Sequence, residues 1–297
     1  MATFSEWVAG ARPRTLPVAV SPVAVATGAA YAIGRAAWLE AALALVVSLS
    51  LQIGVNYAND YSDGIRGTDE VRVGPIRLVG QRLAAPRSVK LAAFASFGLA
   101  GVVGLVLVVL TGAWWLLVVG ALCVVAAWYY TGGSNPYGYR GLGEVFVFVF
   151  FGPVATLGSE FVQAGRVTWP GVLGSIGVGA LATAILVANN LRDIPTDSVG
   201  GKHTLAVRLG DAGTRRLYLG LILVSVLVTA ACGAVGAGGA PTALVALLAY
   251  PLAVPLVRVL RSGATGRTLI PVLAGTGRFQ LVWSLLLALG IAAAPHV

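Results

Sequence analysis

The feature that most constrains this chain is a series of apolar stretches, each about as long as a lipid bilayer is thick. A bilayer core of about 30 Å is crossed by about 20 helical residues. Lipid cannot hydrogen-bond to the backbone, so such stretches cross as helices. They lie near residues 16–34, 39–59, 89–110, 113–131, 142–163, 169–190, 213–235, 241–260 and 274–294. The sequence therefore predicts an all-α polytopic membrane bundle of about nine transmembrane helices around a central cavity. Pro251 and Pro255 interrupt the eighth stretch, so eight spans are the alternative.

Composition supports the membrane assignment, because 10% of residues are charged and 58% are hydrophobic, whereas a typical soluble domain is about 25% charged. The net charge of +9 does not indicate nucleic-acid binding, because the basic residues occupy short loops between apolar spans and form no separate basic domain. With nine spans, eighteen of the twenty Lys and Arg residues fall on one side, and only Arg35 and Arg166 fall on the other. The positive-inside rule then predicts a cell-membrane protein with a cytoplasmic N-terminus.

A first polar motif begins before the second apolar stretch has ended. Its sequence is Asn56-Tyr-Ala-Asn59-Asp60-Tyr-Ser-Asp63-Gly-Ile-Arg66-Gly-Thr-Asp69-Glu70. Steps of four, four and three residues place Gln52, Asn56, Asp60 and Asp63 on one helical face. Gly64 and Gly67 are expected to end the helix and to let the chain turn back, which would bring Asp69 toward the same point.

A second polar motif ends the sixth apolar stretch. It contains Asn189, Asn190, Arg192, Asp193 and Asp197, and it continues into Gly200-Gly201-Lys202-His203-Thr204. Asn189, Asp193 and Asp197 repeat every four residues. Pro195 lacks a backbone donor and is expected to kink or end the helix there.

The two motifs resemble a weak internal repeat, because each places Asn and paired Asp at the end of an apolar helix. If these ends meet, their carboxylates would repel one another unless cations intervene. Mg²⁺ suits such a site, since it binds oxygen ligands and is often shared between carboxylates and phosphates. Lys202, with Arg192 or Arg66, would then neutralise a diphosphate. For any single acidic residue, the alternative interpretation is a solvated position at a helix end. His203 has no nearby His or Cys that would indicate a zinc site.

Three further residues have open interpretations. Tyr137 and Tyr139 fall near a membrane interface, where tyrosines commonly form an aromatic belt. Glu144 begins the fifth apolar helix, where an acidic residue commonly complements the helix dipole. Contact with a substrate is the second possibility for each.

These residues resemble the UbiA superfamily of intramembrane prenyltransferases, which carries Asn-Asp-x-x-Asp after helix 2 and Asp-x-x-x-Asp after helix 6. The corresponding residues are Asn59-Asp60-Tyr-Ser-Asp63 and Asp193-Ile-Pro-Thr-Asp197. Three longer stretches resemble the branch of this family that prenylates 1,4-dihydroxy-2-naphthoate: residues 59–77, 136–144 and 189–208. The resemblance covers residues 1–297 as a single domain. In the general pattern a third Asp follows the second by four residues, whereas this chain has Gly67 there and Asp69 next.

The resemblance implies transfer of a polyprenyl group from polyprenyl diphosphate to the naphthoate, with loss of CO₂ and diphosphate, giving demethylmenaquinone. It implies that Asp60, Asp63, Asp193 and Asp197 bind Mg²⁺ and that Lys202 acts beside them. The implied substrate-binding residues are Asn56, Asn59, Arg66, Asp69, Asn190, Arg192, Tyr137 and Tyr139. Other acceptors, namely 4-hydroxybenzoate, homogentisate or a chlorophyll precursor, remain open. A divalent-cation transporter is the alternative from another class, since acidic residues within membranes often mark ion paths.

Overall fold

The protein is an assembly of helices in the computed structural model, which describes residues 2–67, 76–234 and 241–294. The α-helices are α1 Phe4–Gly10, α2 Pro17–Ala32, α3 Trp38–Ile65, α4 Pro86–Thr111, α5 Leu116–Tyr129, α6 Gly143–Val149, α7 Ala155–Ala164, α8 Trp169–Val199, α9 Leu205–Ala234, α10 Ala253–Arg261 and α11 Ile270–Ala292. Short 3₁₀ helices occupy Pro13–Thr15, Tyr137–Arg140, Pro241–Leu252 and Gly266–Leu269. A π-helical turn, Phe150–Val154, joins α6 to α7. The predicted all-α class is confirmed.

The number of spans is close to the prediction. Within the described residues, seven helical segments are long and apolar enough to cross a bilayer: Trp38–Ile65, Pro86–Thr111, Gly143–Ala164, Trp169–Val199, Leu205–Ala234, Pro241–Arg261 and Gly266–Ala292. An eighth crossing forms if the segments Phe4–Thr15 and Pro17–Ala32, which meet at 49°, count as one span. The remaining predicted stretch, 113–131, contains α5, whose 14 residues reach only about 21 Å. Nine is therefore an approximate count.

Helix α8 lies at the centre of the bundle. In its most apolar window 72% of the residues are buried, against 28–50% for the other spans. Its Val178, Leu181 and Ala184 are fully buried in the largest hydrophobic cluster together with Trp283 of α11. A Cβ added at Gly179 would lie 2.8 Å from the Phe148 carbonyl oxygen, so glycine is needed there for α6 to approach. This packing holds the polar end of α8 in place.

The ends of α3 and α8 are set by local chemistry. Helix α3 ends at Ile65, and Gly67 adopts a φ of +71°, a conformation that glycine reaches without strain, as predicted. The Thr168 side chain caps the start of α8 by accepting the Gly171 amide at 3.1 Å. Pro195 was expected to kink or end this helix; the second expectation is wrong, because α8 continues to Val199. Asp193 and Asp197 therefore remain on one helix.

Candidate active site

The ends of α3 and α8 meet through Lys202. Its Nζ lies 3.4 Å from Oδ1 of Asp63, and both side chains are less than one-tenth exposed. The Asp63 Oδ1 also accepts the Tyr139 hydroxyl, and the Lys202 ammonium lies 4.5 Å from the centre of the Tyr139 ring. The Lys202 amide donates to the Asp197 carbonyl at 2.9 Å, which closes the turn after α8. The two polar motifs, which are remote in sequence, are therefore neighbours in space.

These groups face a large cavity of about 790 Å³. Eight of the residues predicted for the site line it: Asn56, Asn59, Asp63, Tyr137, Tyr139, Asn190, Asp197 and Lys202. Most of the remaining wall is apolar. The cavity thus has a polar end, where the two motifs meet, and an apolar body between the helices.

Asp60 is engaged with the chain after α3. Its Oδ2 accepts the Leu78 amide at 2.7 Å and its Oδ1 accepts the Val79 amide at 3.0 Å. The side chain is 1% exposed and does not belong to the described cavity wall. In this conformation, Asp60 connects the segment that contains Leu78 and Val79 to α3.

Asp193 forms a buried pair with its neighbour Arg192. The Arg192 Nε lies 2.7 Å from Oδ1 and the Nη2 lies 2.8 Å from Oδ2, the bidentate geometry in which charge-assisted bonds are strong. Asn189 accepts a further bond from Arg192 at 2.9 Å. Asp193 and Arg192 lie outside the described cavity wall, whereas Asp197, one turn later on α8, lines it.

The predicted amide residues are held by specific partners. Asn56 donates to the Ala11 carbonyl at 2.8 Å, and the Asn59 oxygen accepts the Thr131 hydroxyl at 2.8 Å. Asn190 donates to Glu144 Oε1 at 2.9 Å. A carboxylate only accepts hydrogen bonds, so this contact directs the Asn190 NH₂ toward Glu144 and leaves its oxygen for other partners.

Arg66 and the tyrosines organise the chain between α5 and α6. Arg66 donates to the carbonyls of Thr131 and Gly133, and its guanidinium lies 5.4 Å from the centre of the Tyr139 ring. Tyr137 donates to the Ala126 carbonyl at 2.8 Å and stacks on Phe146 with 4.0 Å between ring centres. Burial raises the pKa of the Tyr137 phenol above its usual range, so Tyr137 is neutral at physiological pH. Asp69 lies outside the described residues.

Sequence reasoning did not assign two basic residues that line the same cavity. Arg12 and Arg77 both belong to the basic residues that the sequence assigns only to one side of the membrane, yet both lie in the cavity wall. Arg12 has a φ of +54°, a sparsely populated conformation for a residue other than glycine. Such backbone strain is often found at functional sites. The position of Arg12 directly before a proline was the one sequence signal that could have indicated this unusual backbone conformation.

The donor atoms at the polar end are compatible with a magnesium ion shared with a substrate. Within the described part of the chain, no three His, Cys, Asp or Glu side chains are grouped closely enough to hold a metal. Mg²⁺, however, commonly uses only one or two carboxylates, several waters and substrate phosphates. Asp63 and Asp197 supply two carboxylates to this cavity and Asn190 supplies an amide. The set therefore fits a site completed by a phosphate ligand.

Comparisons with known proteins give a matching family and related sequences. The model of the UbiA prenyltransferase family matches residues 19–270. A protein of Mycobacterium tuberculosis called 1,4-dihydroxy-2-naphthoate octaprenyltransferase is 57% identical over 97% of both chains. An Escherichia coli protein of the same name is 37% identical, over 96% of this chain and 94% of its own.

Solved structures share the fold at low sequence identity. The apo structure of a UbiA homolog from Aeropyrum pernix K1 has a TM-score of 0.69 at 16% identity, covering 92% of this chain and 96% of that one. The structure of a UbiA homolog from Archaeoglobus fulgidus bound to GPP and Mg²⁺ has a TM-score of 0.64 at 13% identity, covering 95% and 99%.

Proposed function

This chain belongs to the UbiA prenyltransferase family, and from that premise we propose that it transfers a polyprenyl group to 1,4-dihydroxy-2-naphthoate with loss of CO₂ and diphosphate. The structural observation that carries the proposal is the buried Lys202–Asp63 contact, which joins both polar motifs at the polar end of the cavity. The naphthoate acceptor rests on the names of the relatives that are 57% and 37% identical.

The proposed reaction exchanges two groups on one ring carbon. The allylic C–O bond of the polyprenyl diphosphate breaks, and its electron pair leaves with the diphosphate. A C–C bond forms between the terminal prenyl carbon and the ring carbon that bears the carboxylate. The bond to the carboxylate then breaks, CO₂ departs, and its electron pair restores the aromatic ring. The immediate product is the hydroquinone form of demethylmenaquinone.

Carboxylates and basic residues have different proposed roles at the polar end. Asp63 and Asp197 would hold Mg²⁺. Asp60 and Asp193, which lie on the same two helices just outside the described cavity wall, are proposed as further ligands. Mg²⁺, when bound, neutralises charge that develops on the departing diphosphate. Lys202, Arg77 and Arg12 line the same end and would bind the diphosphate oxygens directly.

The remainder of the cavity protects the reacting carbon. Its apolar wall excludes water, which would otherwise capture a carbocation-like centre. Tyr137 and Phe146, which stack on each other, both line the cavity, and aromatic rings attract nearby positive charge. Because the Tyr137 phenol is neutral, it supplies no phenolate anion that could form a covalent bond with the cation.

The decisive functional test uses purified protein with a polyprenyl diphosphate, Mg²⁺ and one acceptor at a time. We expect a product from dihydroxynaphthoate whose mass includes the prenyl group and lacks CO₂, and we expect a chelator to abolish it. Product from 4-hydroxybenzoate or homogentisate, with none from the naphthoate, would contradict the acceptor assignment. Cation flux into proteoliposomes without prenyl diphosphate would instead support a transporter.

The polar end is further proposed to face the cytoplasm. With the nine spans predicted from the sequence, eighteen of the twenty basic residues fall on this side, and the positive-inside rule places such loops in the cytoplasm. An alkaline phosphatase fused after Val297 is expected to be active, because the nine spans predicted from the sequence would put the C-terminus outside. An inactive C-terminal fusion, with an active one in the loop between α8 and α9, would reverse the orientation.

A further inference from the structure

The buried pair of Glu144 and Asn190 presents one amide oxygen to the cavity. Asn190 Nδ2 donates to Glu144 Oε1 at 2.9 Å, and both residues are less than one-tenth exposed. Asn190 lines the cavity, whereas Glu144 does not belong to the described wall. Among the described residues the Asn190 oxygen has no hydrogen-bond partner, and it is not one of the side-chain atoms that packing encloses. The oxygen is therefore open to a ligand in the cavity.

Glu144 fixes which end of the Asn190 amide meets that ligand. Glu144 is the second residue of α6, where the free amides and the dipole of a helix favour a negative charge. A carboxylate only accepts hydrogen bonds, so the NH₂ of Asn190 turns toward Glu144 and its oxygen turns away. Hydrogen bonds in series polarise one another, which makes this oxygen a stronger acceptor. The pair therefore favours a ligand group that donates a hydrogen bond.

The Asn190 oxygen lies deeper in the cavity than the proposed diphosphate site. Asp197, which lines the polar end with Lys202, follows Asn190 by seven residues on α8, or about 10 Å along the helix axis. Ile185 and Leu186, about one turn before Asn190, belong to the apolar wall. The reacting ring carbon must come within about 3–3.5 Å of the allylic carbon, which extends from the diphosphate toward this wall. The acceptor ring thus has to lie near Asn190.

From these contacts we propose that the Asn190 oxygen, oriented by Glu144, accepts a hydrogen bond from the 4-hydroxyl of the naphthoate acceptor. The inference rests on the proposed function, which supplies this acceptor. The 1-hydroxyl of dihydroxynaphthoate is adjacent to the carboxylate and within reach of an internal hydrogen bond to it. The 4-hydroxyl is the donor that remains free. Glu144 is then a positioning residue, which acts on the ring through Asn190.

The test measures the dissociation constants of three acceptors on protein saturated with Mg²⁺ and a non-reactive prenyl thiolodiphosphate. The acceptors are 1,4-dihydroxy-2-naphthoate, 4-hydroxy-2-naphthoate, which keeps the 4-hydroxyl, and 1-hydroxy-2-naphthoate, which lacks it. Binding is followed by the fluorescence of the naphthoate. We expect the parent protein to bind dihydroxynaphthoate about tenfold more tightly than 1-hydroxy-2-naphthoate, the scale of one hydrogen bond.

Two variants separate this contact from the fold. Replacing Glu144 and Asn190 together with Leu leaves neither polar group buried without a partner. This double variant should bind both 4-hydroxy acceptors about tenfold more weakly and 1-hydroxy-2-naphthoate as the parent does. Glu144→Gln retains a hydrogen bond but also permits the reversed amide, because Gln both donates and accepts. Its effect should be intermediate, and it carries the test alone if the double variant does not fold.

The matched control is Glu160→Gln, which should bind all three acceptors as the parent does. Glu160 is a buried carboxylate at the other end of the same helical segment, Gly143–Ala164. It accepts the Thr168 amide at 2.8 Å and lies outside the described cavity wall. With Mn²⁺ in place of Mg²⁺, the electron paramagnetic resonance signal of the bound metal should keep its parental strength in every variant.

The inference is overturned if the parent binds dihydroxynaphthoate and 1-hydroxy-2-naphthoate equally, or if the variants of Glu144 keep the parental ratio. It is also overturned if Glu160→Gln changes that ratio as much, or if the double variant loses the Mn²⁺ signal, because Asn190 would then belong to the metal site. Any of these results from a parent that prenylates the naphthoate leaves the proposed function intact. A parent that neither binds nor prenylates the naphthoate would remove both.

Discussion

Replacing Asp63 with Asn is expected to reduce kcat/KM for prenyl transfer on the order of a thousandfold, the scale at which single charge-stabilising groups act in catalysis. Asn has nearly the shape of Asp and can still accept bonds from Lys202 and Tyr139, so the fold should survive. What the variant lacks is the negative charge at the meeting point of α3 and α8. Asp197→Asn should have a similar effect for the same reason.

The control for this experiment is Asp211→Asn. Asp211 pairs with Arg215 at 2.6 Å, and its side chain is 54% exposed, outside the described cavity wall. Its replacement should leave kcat/KM nearly unchanged. If Asp63→Asn retains parental activity in a chelator-controlled assay and elutes as a folded protein, the carboxylate of Asp63 has no role in the reaction.

Asp193→Ala is expected to cost stability as well as activity. The change leaves the buried Arg192 without its bidentate carboxylate, and breaking a buried pair from one side typically costs about 3–5 kcal/mol. The free energy of unfolding should fall accordingly. The measurement is the apparent melting temperature of the detergent-solubilised protein.

A double variant separates the structural contribution of Asp193 from its chemical one. Replacing both Arg192 and Asp193 with Leu removes the two charges together, and such replacements are often neutral for stability. We expect the double variant to recover most of the lost melting temperature while remaining inactive. Recovery of activity along with stability would limit Asp193 to a structural role.

The sequence identified the helices because their signal is long and repeated. Apolar stretches near the length of a bilayer crossing can hardly form anything else in lipid. The predicted stretch 113–131 is longer than helix α5. The residues Ala113 and Trp114 are also apolar, although the helix begins only at Leu116. Pro195 does not end α8, because a proline in a long, packed helix removes only one hydrogen bond, and the tertiary contacts of α8 maintain the helix beyond it.

The contacts within the site were harder to predict. Helical spacing correctly brought Asn56 and Asp63 to one cavity, but the same spacing placed Asp60 beside them. The structure instead turns Asp60 toward the amides of Leu78 and Val79. That partner depends on how the chain after α3 folds back, which no local pattern specifies. The roles of Arg12 and Arg77 depend in the same way on which helices surround the cavity.

The Glu144–Asn190 contact joins α6 to α8 through two residues that lie 46 positions apart in the sequence. The sequence predicted each residue separately, Glu144 as a helix-dipole or substrate-contact residue and Asn190 as a substrate-binding residue. Their pairing follows from the close packing of α6 on α8, which the glycines at 152 and 179 permit. Such close approaches depend on a tertiary fit that an isolated sequence does not reveal.

The most direct test of the central claim is Mn²⁺ binding, followed by electron paramagnetic resonance, in the presence of a non-reactive prenyl thiolodiphosphate. If the ends of α3 and α8 form one metal and diphosphate site, Asp63→Asn and Asp197→Asn should each abolish the bound Mn²⁺ signal, and Asp211→Asn should leave it unchanged. A Mn²⁺ signal of parental strength in either of the first two variants would contradict a site built jointly by these two helix ends.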